Sequence, residues 1–287
     1  MLKDKTFLLG VGAQKCGTTW LADYLSSRSE VFIHPLKEVH FFDSIYRKDL
    51  CGGVEKKIAN RLKSRVNKME GEEIINDVYL NALMYRVAAS KDHSLYKEYF
   101  KNHVSSHHDL FGEITPSYSL LGIDAFIKIK SMFPKRKIIF LMRDPIERHV
   151  SAYKMECKAL GVDVDFMSKH FFDTLAEKKH LERTNYPSLI KKLLQVFDSK
   201  EVFFGFYETL FSDSEIRRLC KFLSIGFVSG EYGKQLNSSL ATHPIQDEAF
   251  QAARSVYNEV YQGCLRIFGK DIPSSGDFQP SCPNGCT

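Results

Sequence analysis

Glycine, lysine and threonine cluster in the stretch GAQKCGTTW, residues 12–20, which follows a short apolar run. Gly12 and Gly17 have the separation of the two glycines in a Walker phosphate-binding loop, G-x-x-x-x-G-K-[ST]. Thr18, however, stands where the Walker lysine belongs, and Lys15 lies inside the loop. Because backbone N–H groups at a helix start bind anions, the stretch predicts a phosphate site whose ammonium group is aimed differently from that of an ATPase. The alternative is a glycine-bearing turn without a ligand.

A second candidate anion site is RDPIERHVS, which begins at Arg143 after another apolar run. Asp144, Pro145 and Glu147 predict a helix start, with an N-cap aspartate, a proline at the first position and a capping-box acid. Arg143 then stands at the end of a strand, and Ser151 lies two turns inside the helix. A permanent cation and a hydroxyl near one sheet edge predict a phosphate clamp. The alternative is that Arg143 pairs with a carboxylate.

Carboxyl and imidazole groups that could move a proton occur in KEVHFFD, residues 37–43. Transfer of a group to an acceptor hydroxyl needs a base that takes the hydroxyl proton. If the segment is extended, Glu38 and His40 lie on one side of the chain, and Asp43 follows shortly after. The alternative is a surface acid beside a buried phenylalanine pair, with His40 hydrogen-bonded in the core. Glu113, in GEITPSYS, is a lower-ranking candidate for a second carboxylate near the site; the alternative is a buried structural acid.

Short apolar runs alternate with helical patterns along the chain. The predicted strands are 6–11, 110–114, 137–142 and 201–206. The predicted helices are 18–27, 124–133, 145–160, 214–223 and 246–268. This alternation predicts an α/β fold with a central parallel sheet flanked by helices. The segment FYETL, at the end of the last predicted strand, is expected to serve the architecture.

No Pro/Gly/Ser-rich linker divides the sequence, so we expect a single domain over residues 1–271. Residues 44–105 are expected to form a mainly helical insertion between the first two predicted strands, and residues 272–287 an irregular tail. The segment 55–68 is dense in lysine and arginine, and its apolar residues recur at helical spacing. This pattern predicts a helix with a solvated outer face; the alternative is a basic rim that attracts an acidic acceptor.

The 287 residues carry a net charge of +5, which suits an anionic ligand but is far from that of a protein that coats nucleic acid. No run approaches the roughly 20 apolar residues of a membrane-spanning helix, and the first apolar run lacks a cleavage-site pattern. The cysteines are therefore expected to be reduced thiols in a cytoplasmic protein. Cys282 and Cys286 in the tail make only half a zinc site, so we expect no metal centre.

The stretch QKCGTTWL resembles the 5′-phosphosulfate-binding loop of the sulfotransferases that use 3′-phosphoadenosine-5′-phosphosulfate (PAPS). The resemblance implies a P-loop-like sulfotransferase fold in which Lys15 stabilises charge on the oxygen that leaves with the phosphate. It implies donor contacts from Lys15, Cys16, Gly17, Thr18, Thr19 and Trp20. Among these, the glycine and threonines cradle the 5′-phosphate, the tryptophan lies near the adenine, and the cysteine is a tolerated replacement for a small residue. RDPIERHVSAY resembles the family's 3′-phosphate motif, with Arg143 and Ser151 at the same separation.

KEVHFFD resembles the Glu-x-His-Phe-Phe-Asp stretch of the heparan sulfate sulfotransferases, in which the glutamate is the general base. That resemblance implies Glu38 as the base, with His40 and Asp43 orienting it or the acceptor. His40 is the fallback, because cytosolic sulfotransferases use a histidine base. The chain departs from the heparan enzymes at Ile114, where they carry a lysine. It also departs from them in residues 236–244, which lack the lysine and arginine of the Lys-Gly-Arg loop that those enzymes have there.

The sequence is therefore interpreted as a sulfotransferase that moves the sulfuryl group of PAPS to an acceptor hydroxyl, releases 3′-phosphoadenosine-5′-phosphate (PAP) and requires no metal. A carbohydrate is the first expected acceptor, followed by a small hydroxylated metabolite or lipid, and no nucleic-acid partner is expected. One alternative is a P-loop ATP- or GTP-dependent kinase or hydrolase, which the missing Walker lysine disfavours. Another is a non-catalytic nucleotide-binding module, which the presence of both Lys15 and Glu38 disfavours.

Overall fold

The computed structural model describes residues 2–69, 76–233 and 247–273. Within these ranges one sheet contains the strands β1 (Thr6–Gly12), β2 (Val31–Ile33), β3 (Leu110–Ile114), β4 (Arg136–Met142) and β5 (Val202–Phe206). The strand order is β2-β3-β1-β4-β5, and every pairing is parallel. The predicted α/β class with a central parallel sheet is thus confirmed. Residues 236–244 and both tail cysteines, Cys282 and Cys286, lie outside the described residues.

The strands predicted from the sequence are the ones buried on both faces. Phe7, Leu8 and Leu9 of β1 have no exposed surface, as expected for a central strand with helices on both sides. The edge strand β2 was not predicted, because its three residues are too few to show a pattern. It exists because it pairs with β3, with Val31 opposite Leu110.

Helices connect the strands and cover the sheet. Those outside residues 41–103 are α1 (Thr18–Ser26), α7 (Ile123–Met132), α8 (Pro145–Leu160), α9 (Val164–Thr174), α10 (Lys178–Thr184), α11 (Tyr186–Val196), α12 (Tyr207–Leu210), α13 (Asp213–Leu223) and α14 (Asp247–Phe268). All five predicted helices are therefore confirmed to within about one residue at their described ends, and α8 begins and ends where it was expected. A 3₁₀ turn (Pro116–Leu120) follows β3.

The described part of the segment 44–105 consists of helices and short connections. Together with the turn that precedes it, it contains α2 (Phe41–Tyr46), α3 (Lys48–Cys51), α4 (Val54–Val66), α5 (Val78–Ala89) and α6 (Ser94–His103). In the basic helix α4 only Ile58 is buried, so its charged face is solvated, as predicted. No helix among the described residues combines the length and apolar character that crossing a bilayer requires.

Candidate functional site

The loop between β1 and α1 adopts backbone angles that only certain residues tolerate. Gly12 and Gly17 have φ values of 134° and 82°, and a Cβ atom on Gly17 would lie 2.6 Å from the side chain of Leu210. Lys15 is also left-handed, with φ of 72°, which costs a non-glycine residue about 1 kcal/mol. Such strain persists where the surrounding structure enforces it and is concentrated at functional sites. The surrounding loop therefore holds the backbone of Lys15 in a strained, left-handed conformation.

A cavity of about 560 Å³ opens above this loop, at the carboxyl edge of the sheet. Each of four strands contributes the residues that follow it: the loop up to Trp20 follows β1, Pro116 follows β3, Arg143 follows β4, and Tyr207 follows β5. The cavity is lined by Gln14, Lys15, Gly17, Thr18, Thr19, Trp20, Lys37, Glu38, Pro116, Arg143, Ser151, Lys154, Met155, Lys158, Tyr207 and Phe211. Ligands of open parallel sheets bind at this edge.

Positive charge dominates the cavity lining. The cationic residues are Lys15, Lys37, Arg143, Lys154 and Lys158, whereas Glu38 is the one acid among the described lining residues. Burial, with the nearby charges of Arg143 and Lys37, lowers the pKa of Lys15. Five cations around one cavity repel one another, and a bound polyanion would relieve this repulsion. The electrostatics are those of a site for a ligand with several negative charges.

Arg143 stands at the end of β4, as predicted. One guanidinium nitrogen lies 3.0 Å from a carboxylate oxygen of Glu147, and the guanidinium stacks over the ring of Tyr207 at 4.3 Å. Thus Arg143 both pairs with a carboxylate and lines the cavity. Ser151, two turns into α8, lines the same cavity.

The start of α8 differs from the prediction in one respect. The Asp144 carboxylate caps the helix by accepting from the N–H groups of Ile146 and Glu147. The reciprocal half of a capping box is not supplied by Glu147, since the Asp144 N–H donates to the Glu208 carboxylate at 2.8 Å. The prediction of a capping-box role was therefore wrong: the Glu147 side chain pairs with Arg143 and holds it in place.

The segment 37–43 is not extended, so the condition under which Glu38 and His40 would lie on one side of a strand-like segment does not hold. Glu38 and His40 are left-handed, with φ of 63° and 54°, and α2 begins at the next residue. Their side chains nevertheless meet, because this tight turn brings His40 Nε2 within 3.2 Å of Glu38 Oε2. His40 Nδ1 lies 2.7 Å from Asp43 Oδ2, so the three form a carboxylate–imidazole–carboxylate chain. Glu38 lines the cavity, while Asp43 is fully buried behind it.

Charge along this chain favours an ionised Glu38. The hydrogen bond from His40 is the main reason why the pKa of Glu38 is lowered, against the opposing effect of burial. Burial lowers the pKa of His40, but the hydrogen bonds and charges of Asp43 and Glu38 outweigh it and raise the pKa to about 9. A carboxylate that stays ionised and faces the cavity can accept a proton.

We expect His40 to titrate near pH 9 instead of its ordinary 6.5. Because the folded protein binds this proton more tightly than the unfolded chain, the ion pairs contribute in full below pH 6.5. Their contribution, at most about 3 kcal/mol, is lost as the pH rises toward 9. NMR titration of the imidazole measures the pKa of His40. Urea unfolding at pH 6.5 and at pH 9 measures the loss in the free energy of unfolding. Asp43→Asn is the matched variant and should lower the pKa; a wild-type pKa near 6.5 would contradict the assignment.

Four of the residues proposed from the sequence do not line the cavity. Cys16 is fully buried, its sulfur 3.9 Å from the Tyr186 hydroxyl, and burial raises the pKa of its thiol to about 12. The thiol is therefore unreactive, and only the Cys16 backbone belongs to the loop. His40 and Asp43 reach the cavity only through Glu38. Glu113 is fully buried and hydrogen-bonded to three hydroxyl groups, so it is not a second cavity carboxylate.

The cavity also contains residues that sequence reasoning missed. Lys154 and Lys158 follow Ser151 by three and seven residues, which places them on the same face of α8. Their spacing from Ser151 was a usable signal. Tyr207 belongs to FYETL, which was predicted to serve the architecture. Glu208 of this segment has such a role, since it accepts from the Asp144 N–H, but Tyr207 in addition lines the cavity beneath Arg143. The ammonium of Lys37 donates to the Thr19 hydroxyl, which ties residue 37 to the loop.

One cluster away from the cavity has metal-ligand character. Oxygens of Glu156 and Glu177 and a ring nitrogen of His180 lie within 4.8 Å of one another. The ammonium of Lys179 lies 2.8 Å from both carboxylates, so a side-chain cation already occupies the position between them.

The sulfotransferase family model matches residues 8–228 of the chain. A sulfotransferase from Alicyclobacillus acidocaldarius is similar over 92% of this chain and 95% of that one, with 19% identity and a TM-score of 0.62. The sulfotransferase domain of the Synechococcus PCC 7002 olefin synthase is 14% identical over 94% and 95% of the two chains, with a TM-score of 0.48. Mouse sulfotransferase SULT7A1 complexed with PAP is 13% identical over 94% and 86%, with a TM-score of 0.39. No curated protein matches the sequence significantly.

Proposed function

The chain belongs to the sulfotransferase family, and from this premise we propose that it transfers a sulfuryl group from PAPS to an acceptor hydroxyl in the cavity above β1. The observation that carries the proposal is the charge of the lining, with five cations and one acid among its described residues. PAPS, with a 3′-phosphate and a phosphosulfate, carries about four negative charges at pH 7. The site thus matches the donor in the sign and amount of its charge.

The donor contacts are proposed residue by residue from the cavity lining. The N–H groups at the start of α1 face the cavity without a side-chain cap, and with Thr18 and Thr19 they suit the 5′-phosphate. Lys15 supplies charge to the oxygen between phosphorus and sulfur. Arg143 and Ser151 suit the 3′-phosphate, the group that distinguishes PAPS from ATP.

Trp20 forms an aromatic wall for the adenine. Its ring packs edge-on against Phe211, and its indole N–H donates to the carbonyl oxygen of Glu231 at 3.2 Å. Both aromatic residues line the cavity. An aromatic wall fixed by a hydrogen bond suits a flat base.

Glu38 is proposed as the general base. It takes the proton of the acceptor hydroxyl as that oxygen attacks sulfur, and the bond from sulfur to the phosphate oxygen breaks opposite. The displaced electron pair stays on PAP, where Lys15 stabilises the charge. Catalysis rests on positioning and on fixed positive charge, so the mechanism requires no metal.

The proposed acceptor is a carbohydrate hydroxyl, with small hydroxylated metabolites and lipids next. The support is the resemblance of residues 37–43 to the heparan-modifying enzymes. A cytoplasmic location is proposed because the described cysteines, Cys16, Cys51, Cys157, Cys220 and Cys264, are all unpaired and buried.

Calorimetry with PAP, and separately with ATP and magnesium, tests the donor. We expect PAP to bind at least tenfold more tightly, because the 3′-phosphate adds charge-assisted hydrogen bonds from Arg143 and Ser151. Arg143→Ala should abolish this preference while leaving ATP binding nearly unchanged. A preference of the wild-type protein for ATP with magnesium would instead indicate a P-loop kinase or hydrolase.

A further inference from the structure

The turn that carries Glu38 is held by buried side chains that do not line the cavity. Glu38 and His40 both have positive φ, a conformation that non-glycine residues adopt only when their surroundings require it. The backbone groups of residues 39–42 therefore need fixed partners. The structure provides such partners for both the N–H and the C=O groups.

Two hydroxyl groups from the end of β3 and the following 3₁₀ turn bind the N–H groups. The Val39 N–H donates to Thr115 Oγ1 at 2.9 Å. The Phe41 N–H donates to the Tyr118 hydroxyl at 3.0 Å, and the Phe42 N–H lies 3.4 Å from the same oxygen. Neither Thr115 nor Tyr118 has any exposed surface.

Glu113 orients these two hydroxyl groups. Thr115 Oγ1 donates to one carboxylate oxygen at 2.6 Å, and the Tyr118 hydroxyl donates to the other at 3.0 Å. Each hydroxyl has a single proton. Once that proton is committed to Glu113, the hydroxyl lone pairs are left to accept from the backbone N–H groups of the turn.

Arg86 of α5 binds the carbonyl side of the same turn. Its Nε donates to the Val39 carbonyl and its Nη2 to the His40 carbonyl, each at 2.7 Å. The guanidinium also pairs with Glu55 of α4 at 2.7 Å, and Arg86 is 2% exposed. The helices between β2 and β3 thus reach the turn through one buried arginine.

We propose that Glu113, Thr115, Tyr118 and Arg86 form a buried frame of positioning residues that aims the Glu38 carboxylate at the acceptor. The inference rests on the proposed function, in which Glu38 is the base. The frame acts on the chemical step and not on the donor, because none of its members lines the cavity. It also holds the contact of His40 with Glu38, which keeps Glu38 ionised.

Tyr118→Phe and Tyr99→Phe form a matched pair that tests the frame. Tyr99 is 1% exposed, and its hydroxyl has no hydrogen-bond partner among the described residues. We expect Tyr118→Phe to lower PAPS turnover, with water as acceptor, by about 10- to 100-fold while the Kd for PAP changes less than twofold. The acidic limb of its pH–rate profile should move to higher pH, because a looser turn weakens the His40–Glu38 hydrogen bond. Tyr99→Phe should behave as wild type.

Thr115→Val and Thr115→Ser provide a second pair should Tyr118→Phe fail to fold. The valine variant removes the acceptor for the Val39 N–H and should show the same loss of turnover, whereas serine keeps the hydroxyl and the activity. Wild-type turnover in folded Tyr118→Phe or Thr115→Val would overturn the frame, and so would an equal loss of turnover and PAP binding. Failure of the wild-type protein to bind PAP or turn over PAPS would instead refute the proposed function.

Discussion

Lys15→Ala is expected to lower the rate of PAPS turnover by about a thousandfold and to weaken PAP binding by roughly tenfold. Lys15 faces the cavity from a strained loop, and its ammonium would stabilise the charge that develops on the departing phosphate oxygen. That interaction strengthens as the sulfur–oxygen bond breaks, so turnover should fall more than binding. Single-turnover kinetics and calorimetry with PAP measure the two effects separately.

The stability of the same variant should not fall. Lys15 lies among like charges that lower its pKa, so its removal relieves repulsion with Arg143 and Lys37. Alanine retains the cost of the left-handed backbone, so we expect an unchanged or slightly higher Tm. Lys15→Arg, which keeps the charge, is the matched variant and should retain more activity than alanine. Unchanged turnover in Lys15→Ala would remove Lys15 from the chemistry.

Glu38→Gln is expected to lower PAPS turnover by about 10²- to 10⁴-fold without weakening PAP binding. The amide cannot accept the acceptor proton, but it keeps the size of the side chain. Because Glu38 is the one acid among the described lining residues, its neutralisation should leave PAP affinity equal or slightly higher. Rapid-quench measurement of transfer, together with PAP calorimetry, distinguishes this result from a general loss of the site.

Two comparisons make the Glu38 result specific. Glu30→Gln changes a partly buried carboxylate that pairs with Arg28 away from the cavity lining, and its turnover should stay within about twofold of wild type. Full activity in Glu38→Gln would move the base to His40, the fallback, because Glu113 is fully buried outside the cavity. The acidic limb of the wild-type pH–rate profile should lie below the ordinary glutamate range, since the His40 hydrogen bond lowers the pKa of Glu38.

The local elements of this protein could be predicted from its amino-acid sequence alone. The central strands were predictable because burial on both faces requires continuous apolar runs, as in β1 and β4. The start of α8 was predictable because an aspartate followed by proline is a local signal. Lys15 and Arg143 could be proposed as anion ligands because each stands on a strand-to-helix turn, whose N–H groups attract anions whatever surrounds them.

How these elements come together depends on contacts between distant segments and could not be predicted from the sequence. The short strand β2 and the turn at Glu38 depend on partners far along the chain, such as the Thr115 hydroxyl and the Arg86 guanidinium. The residues that line the cavity are determined by the order of the strands in the sheet, because that order decides which strand ends are neighbours. The order of the strands cannot be predicted from local sequence patterns. Hence Tyr207 could not be assigned to the site from its own neighbours in sequence. A strand, a helix start or an anion-binding turn depends on residues close together in sequence. A strained turn and a cavity shared by several strands depend instead on contacts between segments that are far apart in the sequence.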